Sequence, residues 1–390
     1  MATNSKGLIQ PSIGSTRTQT DPASTQKSTT GSSTSYWVKF FNGQTLTLGD
    51  GDPVFTLLLR DEQQYIWFLR ADLYSTATAF VRGELNVEGD LIAAIRFKKA
   101  SASLHWRDLI SSITARFAPR RVETWFQSPK RAAWNIRFHY DRSNEFYQTF
   151  LDSQMVYSCA YFTSEDASLD EAQTAKLDHI CRKLNLQPAD SFLDIGCGWG
   201  ALVIRAAERF GALATGCTLS IQQDLFGSKS ILEKKLEGRA TIHECDYRTL
   251  KGQFSKIASV GMFEHVGRQR LHEYFRKVME LLDDHGLFLN HGIVRPEGVA
   301  DNPETLFLQR RVFPGGELAT LSHVLSAAGR AGFEILDVEN LRSHYAMTCR
   351  RWVERLQSNA PRCLKCVDRE TYRTWLLYLA GSALCFDVGH

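Results

Sequence analysis

Ser191-Phe-Leu-Asp-Ile-Gly-Cys-Gly-Trp-Gly-Ala201 is the stretch of sequence that decides the fold. Phe192–Ile195 predicts a buried β-strand, and the glycines that follow predict a tight turn before a helix that starts at Ala201. Glycine lets backbone N–H groups approach a ligand closely, and the N-terminus of a helix attracts a carboxylate or a phosphate. This unit therefore predicts a binding site for a nucleotide-like cofactor.

The surroundings of this turn indicate which cofactor it suits. The glycines satisfy the pattern G-x-G-x-x-G/A, but a nicotinamide site also needs a carboxylate roughly 20 residues further on. The next predicted strand, Ala212–Cys217, is followed by no carboxylate before Asp224, whereas Asp194 immediately precedes the turn. A carboxylate beside an anion-binding turn suits an amino acid, which favours S-adenosylmethionine (SAM). A glycine turn in an ordinary α/β domain is the alternative interpretation.

Composition limits the classes of protein to consider. A chain of 390 residues is long enough for two domains, and its net charge of +3 argues against a dedicated nucleic-acid-binding protein. No apolar run approaches the roughly 20 residues that cross a bilayer. The nine cysteines are scattered, and the one C-x-x-C pair, Cys363 and Cys366, lacks further ligands for zinc. We therefore expect a cytoplasmic protein without a bound metal.

Changes in pattern divide the chain into a tail, a small domain, a linker and a larger domain. Their bounds are 1–35, 36–128, 129–143 and 144–390. The tail is rich in Ser and Thr, which predicts disorder. Basic residues in and before the linker predict either attraction to anionic lipid headgroups, at about 1 kcal/mol per residue near such a surface, or a solvated face. These residues are Arg116, Arg120, Arg121, Lys130, Arg131, Arg137 and Arg142.

The two domains differ in their periodicity. In the small domain, alternating runs at Thr45–Leu48 and Gln64–Arg70 predict half-buried strands, and helical patterns follow at Leu73–Arg82 and Leu91–Phe97. We expect a small α+β domain there. In the larger domain, helices separate further predicted strands at Ala240–Asp246, Lys256–Gly261 and Gly286–Val294. Such alternation predicts a parallel sheet covered by helices on both faces, with its ligand at the carboxyl ends of the strands.

Several segments, taken together in order and spacing, give residues 135–388 a resemblance to a known family. The segments are His139–Tyr147, Tyr157–Phe162, Leu193–Gly200, Thr218–Gln223, Gly261–Gly267, His291–Ile293, Phe313–Gly316 and His344–Thr348. The chain resembles the cyclopropane fatty acid synthase family of SAM-dependent methyltransferases. The resemblance implies a Rossmann-like class I methyltransferase domain. It is weaker over residues 36–130, where larger bacterial members carry a separate N-terminal domain.

The resemblance also implies roles for individual residues. The implied cofactor contacts are Tyr157, Ser158, Gly196 and Gly198, then Thr218, Ser220 and Gln223 at the ribose, and Asp246 and Tyr247 by the adenine. Asp194 is the carboxylate expected to meet the ammonium group of SAM. The family also holds a bicarbonate ion beside the transferred methyl group, and the matching positions are identical in residue type. These positions are Cys159, Glu264, His291, Ile293 and Tyr345.

The implied reaction explains why a small ion is useful. The π electrons of a cis alkene in a lipid chain attack the sulfonium methyl group and leave a carbocation. Closing the ring then needs a base that removes a proton from the new methyl group. A small exchangeable anion is less easily alkylated than a fixed protein carboxylate. Aromatic faces stabilise a cation without reacting, and the candidates are Phe263, Tyr161 and Phe313.

Each candidate catalytic residue also has a structural interpretation. The alternative role for Glu264 is to cap the following helix. The alternative for His291 is a core histidine with its hydrogen bonds satisfied. The alternative for Tyr345 is a core aromatic residue, and the alternative for Cys159 is a small buried hydrophobic residue. The catalytic interpretation is preferred because all four structural roles would otherwise have to hold at once and still match the family's residues by coincidence.

The leading expectation is methylene transfer from SAM to a phospholipid acyl chain by an enzyme that visits the bilayer surface. The small domain, the linker and apolar helices around Phe307–Phe313 are expected to contact lipid, and a homodimer is one candidate for the oligomeric state. Formation of methyl-branched lipids, N-methylation of a small amine and a silent lipid-binding protein are the alternatives. Family members also continue past Leu376–His390 into a final strand, so we expect the sheet to lack that edge.

Overall fold

The computed structural model describes residues 34–102, 143–298, 312 and 317–389. The basic residues of the linker region, the apolar segment around Phe307 and the candidate Phe313 lie outside the described residues, as does nearly all of the tail. The N-terminal elements are β1 (Tyr36–Phe40), β2 (Thr45–Leu48), β3 (Phe55–Leu59), α1 (Glu62–Arg70), α2 (Leu73–Arg82), β4 (Asn86–Gly89) and α3 (Leu91–Ala102).

These first strands form a small mixed sheet in the order β2-β1-β3-β4. β1 pairs parallel with β3, and the two outer pairings are antiparallel. Alternation in β1 buries Tyr36, Val38 and Phe40 on one face, and Leu57 and Leu59 of β3 join them. The alternating pattern at Thr45–Leu48 predicted the strand β2 correctly, and β4 is a further strand that was not predicted.

One prediction for this region is wrong. Gln64–Arg70 is not a half-buried strand, because it lies in α1. Asp61 caps that helix, with its carboxylate accepting from the Gln64 N–H at 2.8 Å. Tyr65, Phe68 and Leu69 pack toward the core at the spacing of a helix rather than at that of a strand. Because residues 65–69 are all apolar or aromatic, their pattern fits both a strand period and a helix period, and packing selects the helix.

The larger sheet is parallel throughout and has the strand order β7-β6-β5-β8-β9. Its strands are β5 (Ser191–Ile195), β6 (Leu213–Thr218), β7 (Ala240–Glu244), β8 (Phe254–Val260) and β9 (Leu282–His291). The five predicted strands are present, with ends that differ by a few residues. The strand order reverses between β5 and β8, which makes the carboxyl end of β5 the switch point where ligands bind in such sheets. This confirms the predicted Rossmann-like α/β fold.

Helices cover both faces of this sheet. The helices of this part are α4 (Asn144–Tyr147), α5 (Leu169–Lys183), α6 (Ala201–Phe210), α7 (Ile221–Glu233), α8 (Leu271–Leu281), α9 (Leu321–Arg330), α10 (Arg342–Ser358), α11 (Ala360–Cys366) and α12 (Arg369–Val388). One hydrophobic cluster joins α5, α6 and α7 to the sheet, and a second joins α8 and α9 to it. The site at the strand ends is thus held between two packed layers.

A third hydrophobic cluster joins the small sheet to the larger domain. It contains Val38 and Leu57 of the small sheet, Phe146 after the linker, Trp352 of α10 and Leu379 of α12. α12 packs against α2, α3 and α10. The small sheet and the helices α10 and α12 therefore share one core. The predicted domain bounds stay predictions, because residues 103–142 lie outside the described residues.

A half-buried arginine contributes hydrogen bonds to this contact. The Arg373 guanidinium of α12 donates to the carbonyl oxygens of Phe80 and Leu85 and to Asn86 Oδ1, at 2.5 to 2.7 Å. It also lies 4.1 Å from the centre of the Phe80 ring. The C-terminal segment Leu376–Val388 lies in α12. In the described part of the chain no strand beyond β9 joins the large sheet, which is the edge that was expected to lack a final strand.

Candidate active site

The glycine turn after β5 forms a cradle at the switch point. Gly196 and Gly198 have φ angles of +78° and +54°, in the left-handed region that favours glycine. The N–H groups of Gly196 and Cys197 donate to the Cys217 carbonyl at 2.9 and 3.0 Å, which ties the turn to β6. A Cβ atom added at Gly198 would meet nothing within 4 Å. The turn therefore leaves open space directly before the N-terminus of α6, where a carboxylate can bind.

Asp194 places a buried carboxylate beside this cradle. Its side chain is 3 % exposed, and its Oδ1 atom has no hydrogen-bond partner among the described residues. Burial raises the pKa of Asp194 to about 7, although the nearby Lys176 lowers it. A buried acceptor without a partner is costly, and a ligand ammonium group would satisfy it. The cradle and this oxygen together fit the amino-acid end of SAM.

The residues predicted at the ribose lie at the carboxyl end of β6 and are buried. Ser220 caps α7 and accepts from the Gln223 N–H at 3.4 Å. Thr218 Oγ1 donates to Gln223 Oε1 at 2.6 Å. With that oxygen engaged, the amide NH₂ of Gln223 is the group that remains to donate to a ribose hydroxyl. The contact itself stays a prediction.

Asp246 and Tyr247 follow β7 at the same edge of the sheet. The Asp246 carboxylate accepts from the backbone N–H of Arg248 at 3.0 Å and from its Nε at 2.8 Å. Burial raises the pKa of Asp246, but the bonds from Arg248 outweigh it and hold the pKa below its usual value. The Tyr247 ring packs edge-on against Tyr274, with centroids 5.8 Å apart. Both residues lie at the strand end where an adenine is expected, and their contacts with it stay predictions.

Glu264 and Ile293 meet at the carboxyl ends of β8 and β9. Glu264 Oε1 accepts from the Ile293 N–H at 2.8 Å, whereas Oε2 is buried without a partner among the described residues. Burial raises the pKa of Glu264 to about 7. A Cβ atom added at Gly292 would lie 2.9 Å from Oε2 and 2.1 Å from the Phe263 ring. The carboxylate thus has one free oxygen in a space that only glycine leaves open.

The other residues predicted at the ion are neutral groups. His291 ends β9, and burial lowers its pKa to about 4, so its imidazole is uncharged at neutral pH. Burial raises the pKa of Cys159 to about 12, so its thiol keeps its proton. Burial also raises the pKa of Tyr345, and the nearby Cys159 and Glu264 raise it further. The structure therefore places Tyr345 within electrostatic reach of Cys159 and of Glu264.

Helix α10 holds the segment that carries Cys159. The Ala160 N–H donates to Thr348 Oγ1 at 2.9 Å, and the Phe162 N–H donates to His344 Nδ1 at 3.0 Å. Tyr345 lies between these two anchors on the same helix. The Tyr157 ring packs among aromatic side chains on the core side of this segment; they are Tyr147, Phe150, Trp352 and Trp375. The matching segment His344–Thr348 thus contributes anchors as well as Tyr345.

The structure corrects one of the aromatic candidates. The Tyr161 ring is stacked between the His179 and His344 rings, with centroids 4.3 and 4.6 Å away and planes within 18°. Both of its faces are covered, so Tyr161 cannot present a face to a substrate cation. The sequence places His179 and His344 far from Tyr161, and the stack depends on the fold alone. Phe263 is buried beside Glu264 and stays a candidate.

Two polar residues of α5 were missed by the sequence analysis. Gln173 and Lys176 are 0 % and 3 % exposed, and both hydrogen-bond to Ser158. They stand three residues apart on the face of α5 that also buries Ala172 and Ile180. Polar side chains at helical spacing on an apolar face are the signal that would have identified them.

The structure also bears on metals and membranes. No group of three or more His, Cys, Asp or Glu side chains within the described ranges is arranged to hold a metal ion. Cys363 and Cys366 are free thiols at α11. Of the helices in the described part of the chain, none combines the length and apolarity that crossing a membrane requires.

A parallel sheet with a glycine cradle and a buried carboxylate at its switch point defines a class of enzyme, the SAM-dependent methyltransferases with a Rossmann-like fold. Residues 127–390 match the family model described as mycolic acid cyclopropane synthetase. The chain belongs to this family of one-carbon transferases.

Relatives of known name agree with this assignment. The chain is 39 % identical over 361 residues to a probable fatty acid methyltransferase of Pseudomonas putida, covering 90 % of this chain and 88 % of the relative. It is 35 % identical over 267 residues to cyclopropane mycolic acid synthase 3 of Mycobacterium tuberculosis, covering 66 % and 93 %.

Solved structures agree as well. The cyclopropane synthase MmaA2 from Mycobacterium tuberculosis has a TM-score of 0.64 at 33 % identity, over 66 % of this chain and 94 % of that one. The mycolic acid cyclopropane synthase CmaA1 complexed with SAH and CTAB has a TM-score of 0.63 at 33 % identity and the same coverage. The SAH complex supports SAM as the methyl donor of this chain.

Proposed function

We propose that this protein transfers a methylene group from SAM to a cis double bond in a phospholipid acyl chain, forming a cyclopropane ring with bicarbonate as the base. The observation that carries the proposal is the buried Glu264 Oε2 atom without a partner among the described residues, in a carboxylate whose other oxygen is held by Ile293. An acceptor of this kind suits the hydroxyl group of a small oxyanion.

The groups around Glu264 are matched to an anion. Neutral His291, the protonated thiol of Cys159 and the hydroxyl group of Tyr345 add no negative charge of their own at neutral pH. Hydrogen bonds from neutral donors are able to hold an anion without an opposing positive charge that would weaken it as a base. Bicarbonate, when bound, supplies a base that is not part of the protein. Glu264 orients that base, and Tyr345 donates to it.

The cofactor side of the site is built from different residues. Asp194 holds the ammonium group, and the open turn that Gly196 and Gly198 form before the N-terminus of α6 holds the carboxylate. SAM, when bound, supplies an electrophilic methyl group. Phe263 lies beside Glu264 and provides an apolar wall that excludes water from the reacting carbon atoms. Excluding water protects a carbocation from capture by a hydroxyl group.

We further propose that the enzyme works at the surface of a phospholipid bilayer, on the cytoplasmic side. Phe41 and Trp67 are 69 % and 39 % exposed on the small sheet and α1, and the Arg60 side chain beside them is exposed as well. Exposed aromatic and basic side chains are favoured where a protein meets lipid headgroups. The small sheet is therefore the part of the described chain that we expect to contact the bilayer.

Analysis of membrane lipids tests the proposed reaction. The full chain and its Glu264→Gln variant are expressed in a host that makes unsaturated phospholipids, and the extracted lipids are compared by mass spectrometry and proton NMR. We expect the full chain to add one CH₂ unit to unsaturated chains, remove the double bond and produce the upfield signals of a cyclopropane ring. Unchanged lipids at equal protein levels would contradict the proposal and leave an amine substrate as the better explanation.

A methyl-branched product is the second candidate, because the Pseudomonas putida relative is named a probable fatty acid methyltransferase. The two products share the first bond-forming step and differ in what the carbocation does next. It closes the ring as the new methyl group loses a proton, or it loses a proton without ring closure, before or after a hydride shift, to leave a branch. The NMR spectrum separates them, because a branched product gives methyl or exocyclic methylene signals in place of ring signals. Those signals alone would replace the cyclopropane proposal with this one.

A further inference from the structure

Helix α5 buries a lysine that the proposed reaction does not use. The Lys176 side chain is 3 % exposed, on a helix that otherwise buries mainly apolar residues on this face. Burying an ammonium group costs several kcal/mol unless charges and hydrogen bonds compensate for it. The contacts of Lys176 therefore indicate what its position provides.

Its direct contact is with the cofactor segment. Lys176 Nζ donates to Ser158 Oγ at 3.1 Å. One turn earlier on α5, Gln173 Nε2 donates to the Ser158 carbonyl at 2.9 Å and to the Val156 carbonyl at 3.4 Å. Together the two side chains hold residues 156–158 against α5. Tyr157 and Ser158, the predicted cofactor contacts, lie in that segment.

The charges that face Lys176 come from two further elements. Asp152 and Asp194 both act on it through space and favour its charged form, as do the thiols of Cys159 and Cys181 to a smaller extent. Lys176 in turn disfavours the charged form of His291. Asp152 is already satisfied, because its carboxylate accepts from two backbone N–H groups, those of Gln154 and Val156. Asp194 Oδ1 has no such partner in the described part of the chain.

We propose that Lys176 is a positioning residue for the cofactor, which favours the ionised form of Asp194 before SAM arrives and fixes Ser158 at the edge of the same pocket. The inference rests on SAM binding and is independent of the proposed lipid substrate. An ionised carboxylate attracts the cofactor ammonium group strongly, whereas a neutral carboxyl group offers only an ordinary hydrogen bond.

The effects on Asp194 have opposite signs. Burial raises the pKa of Asp194 to about 7, and Lys176 is the group that lowers it. Burial lowers the pKa of Lys176 itself to about 8, so its ammonium form predominates at pH 7 and below. Without that charge only burial would act on Asp194, and its pKa would rise above neutrality. In a variant without this charge, cofactor affinity should therefore begin to fall at a higher pH than it does in the unaltered protein when the pH is lowered.

Calorimetric titration with SAH between acidic and mildly alkaline pH tests this inference. The proteins compared are the full chain, Lys176→Met, Lys176→Arg and the control Lys183→Met, which alters a more exposed lysine of the same helix. For Lys176→Met we expect a Kd for SAH raised about tenfold at neutral pH and an affinity midpoint about one pH unit higher. Lys176→Arg should keep the original midpoint, and Lys183→Met should keep both values.

A purely structural role for Lys176 would weaken binding equally at every pH, so an unchanged midpoint in folded Lys176→Met would overturn the proposal. Carbon-13 NMR of the aspartate carboxyl groups in the unaltered, cofactor-free protein provides a test that needs no stable Lys176 variant. The Asp194 signal, assigned by its loss in Asp194→Asn, should titrate at or below about pH 7. A midpoint well above neutrality would also overturn the proposal.

Discussion

Replacing Glu264 by glutamine should reduce turnover and stabilise the protein at the same time. The substitution keeps the acceptor for the Ile293 N–H at 2.8 Å, because the amide oxygen takes the place of Oε1. It replaces the free Oε2 by an NH₂ group, which donates where the proposed ion also needs to donate. General acid–base contributions are typically 10² to 10⁴-fold. We expect turnover to fall by about that factor, or about 3 to 5 kcal/mol in the barrier, with unchanged SAH affinity.

The stability change follows from the raised pKa of Glu264. Burial raises it from 4.5 to about 7, so the folded protein retains a proton that the unfolded chain loses between those values. Stability falls as the pH rises through this window, and above about pH 7 the buried carboxylate costs about 3 kcal/mol. Glutamine carries no charge to bury. Glu264→Gln should therefore be more stable than the unaltered protein at alkaline pH, by up to about 3 kcal/mol, with no gain below about pH 4.5.

The assays are initial rates of lipid modification and urea unfolding, each at acidic and alkaline pH. Glu273→Gln is the matched control, since Glu273 is an exposed carboxylate on the neighbouring helix α8 and should change neither quantity. Full turnover in Glu264→Gln would remove this residue from the catalytic site. Equal stability of both proteins at alkaline pH would show that the carboxylate is not buried as a charge in the folded state.

Asp194→Asn should raise the Kd for SAH about tenfold or more, and calorimetry showing equal affinity would contradict the ammonium contact. Gly292→Ala should lower turnover but not SAH affinity, because the new Cβ would lie 2.1 Å from the Phe263 ring and displace it together with Glu264. Phe386→Ala should lower kcat with little change in SAH affinity, because the Phe386 ring stacks on Tyr345 at 4.3 Å. Measured kcat and Kd values check Gly292→Ala and Phe386→Ala. A loss of SAH affinity in either variant would show that the substituted residue supports the cofactor site as well as the reaction.

Local patterns were sufficient for much of this fold. The strand at Phe192–Ile195 and the glycine turn depend on neighbouring residues alone. The run Gln64–Arg70 shows where such patterns fail. Five consecutive residues there, 65–69, are apolar or aromatic, so strand and helix periods both fit, and contacts of Phe68 with distant core residues select the helix.

The candidate site also has features that could be predicted from the sequence and features that could not. Glu264, Ile293 and Asp194 could be placed together because parallel strands end at one edge of a sheet. The charge partners of Lys176 could not be predicted, because they are carboxylates contributed by two other parts of the chain. The faces of Tyr161 are covered by rings from α5 and α10, a packing detail that no motif records. Orientation and charge balance are tertiary properties.

The core that the small sheet shares with α10 and α12 has a consequence for anyone who engineers this enzyme. α12 contacts α2 and α3 and also contacts α10, which carries Tyr345. A catalytic fragment that begins after the linker would leave the part of α12 that contacts α2 and α3 open to water, and Arg373 would lose Phe80, its ring partner. Such a fragment would aggregate unless α12 were redesigned. Exchanging N-terminal portions among relatives would likewise succeed only when the matching face of this C-terminal helix is exchanged as well.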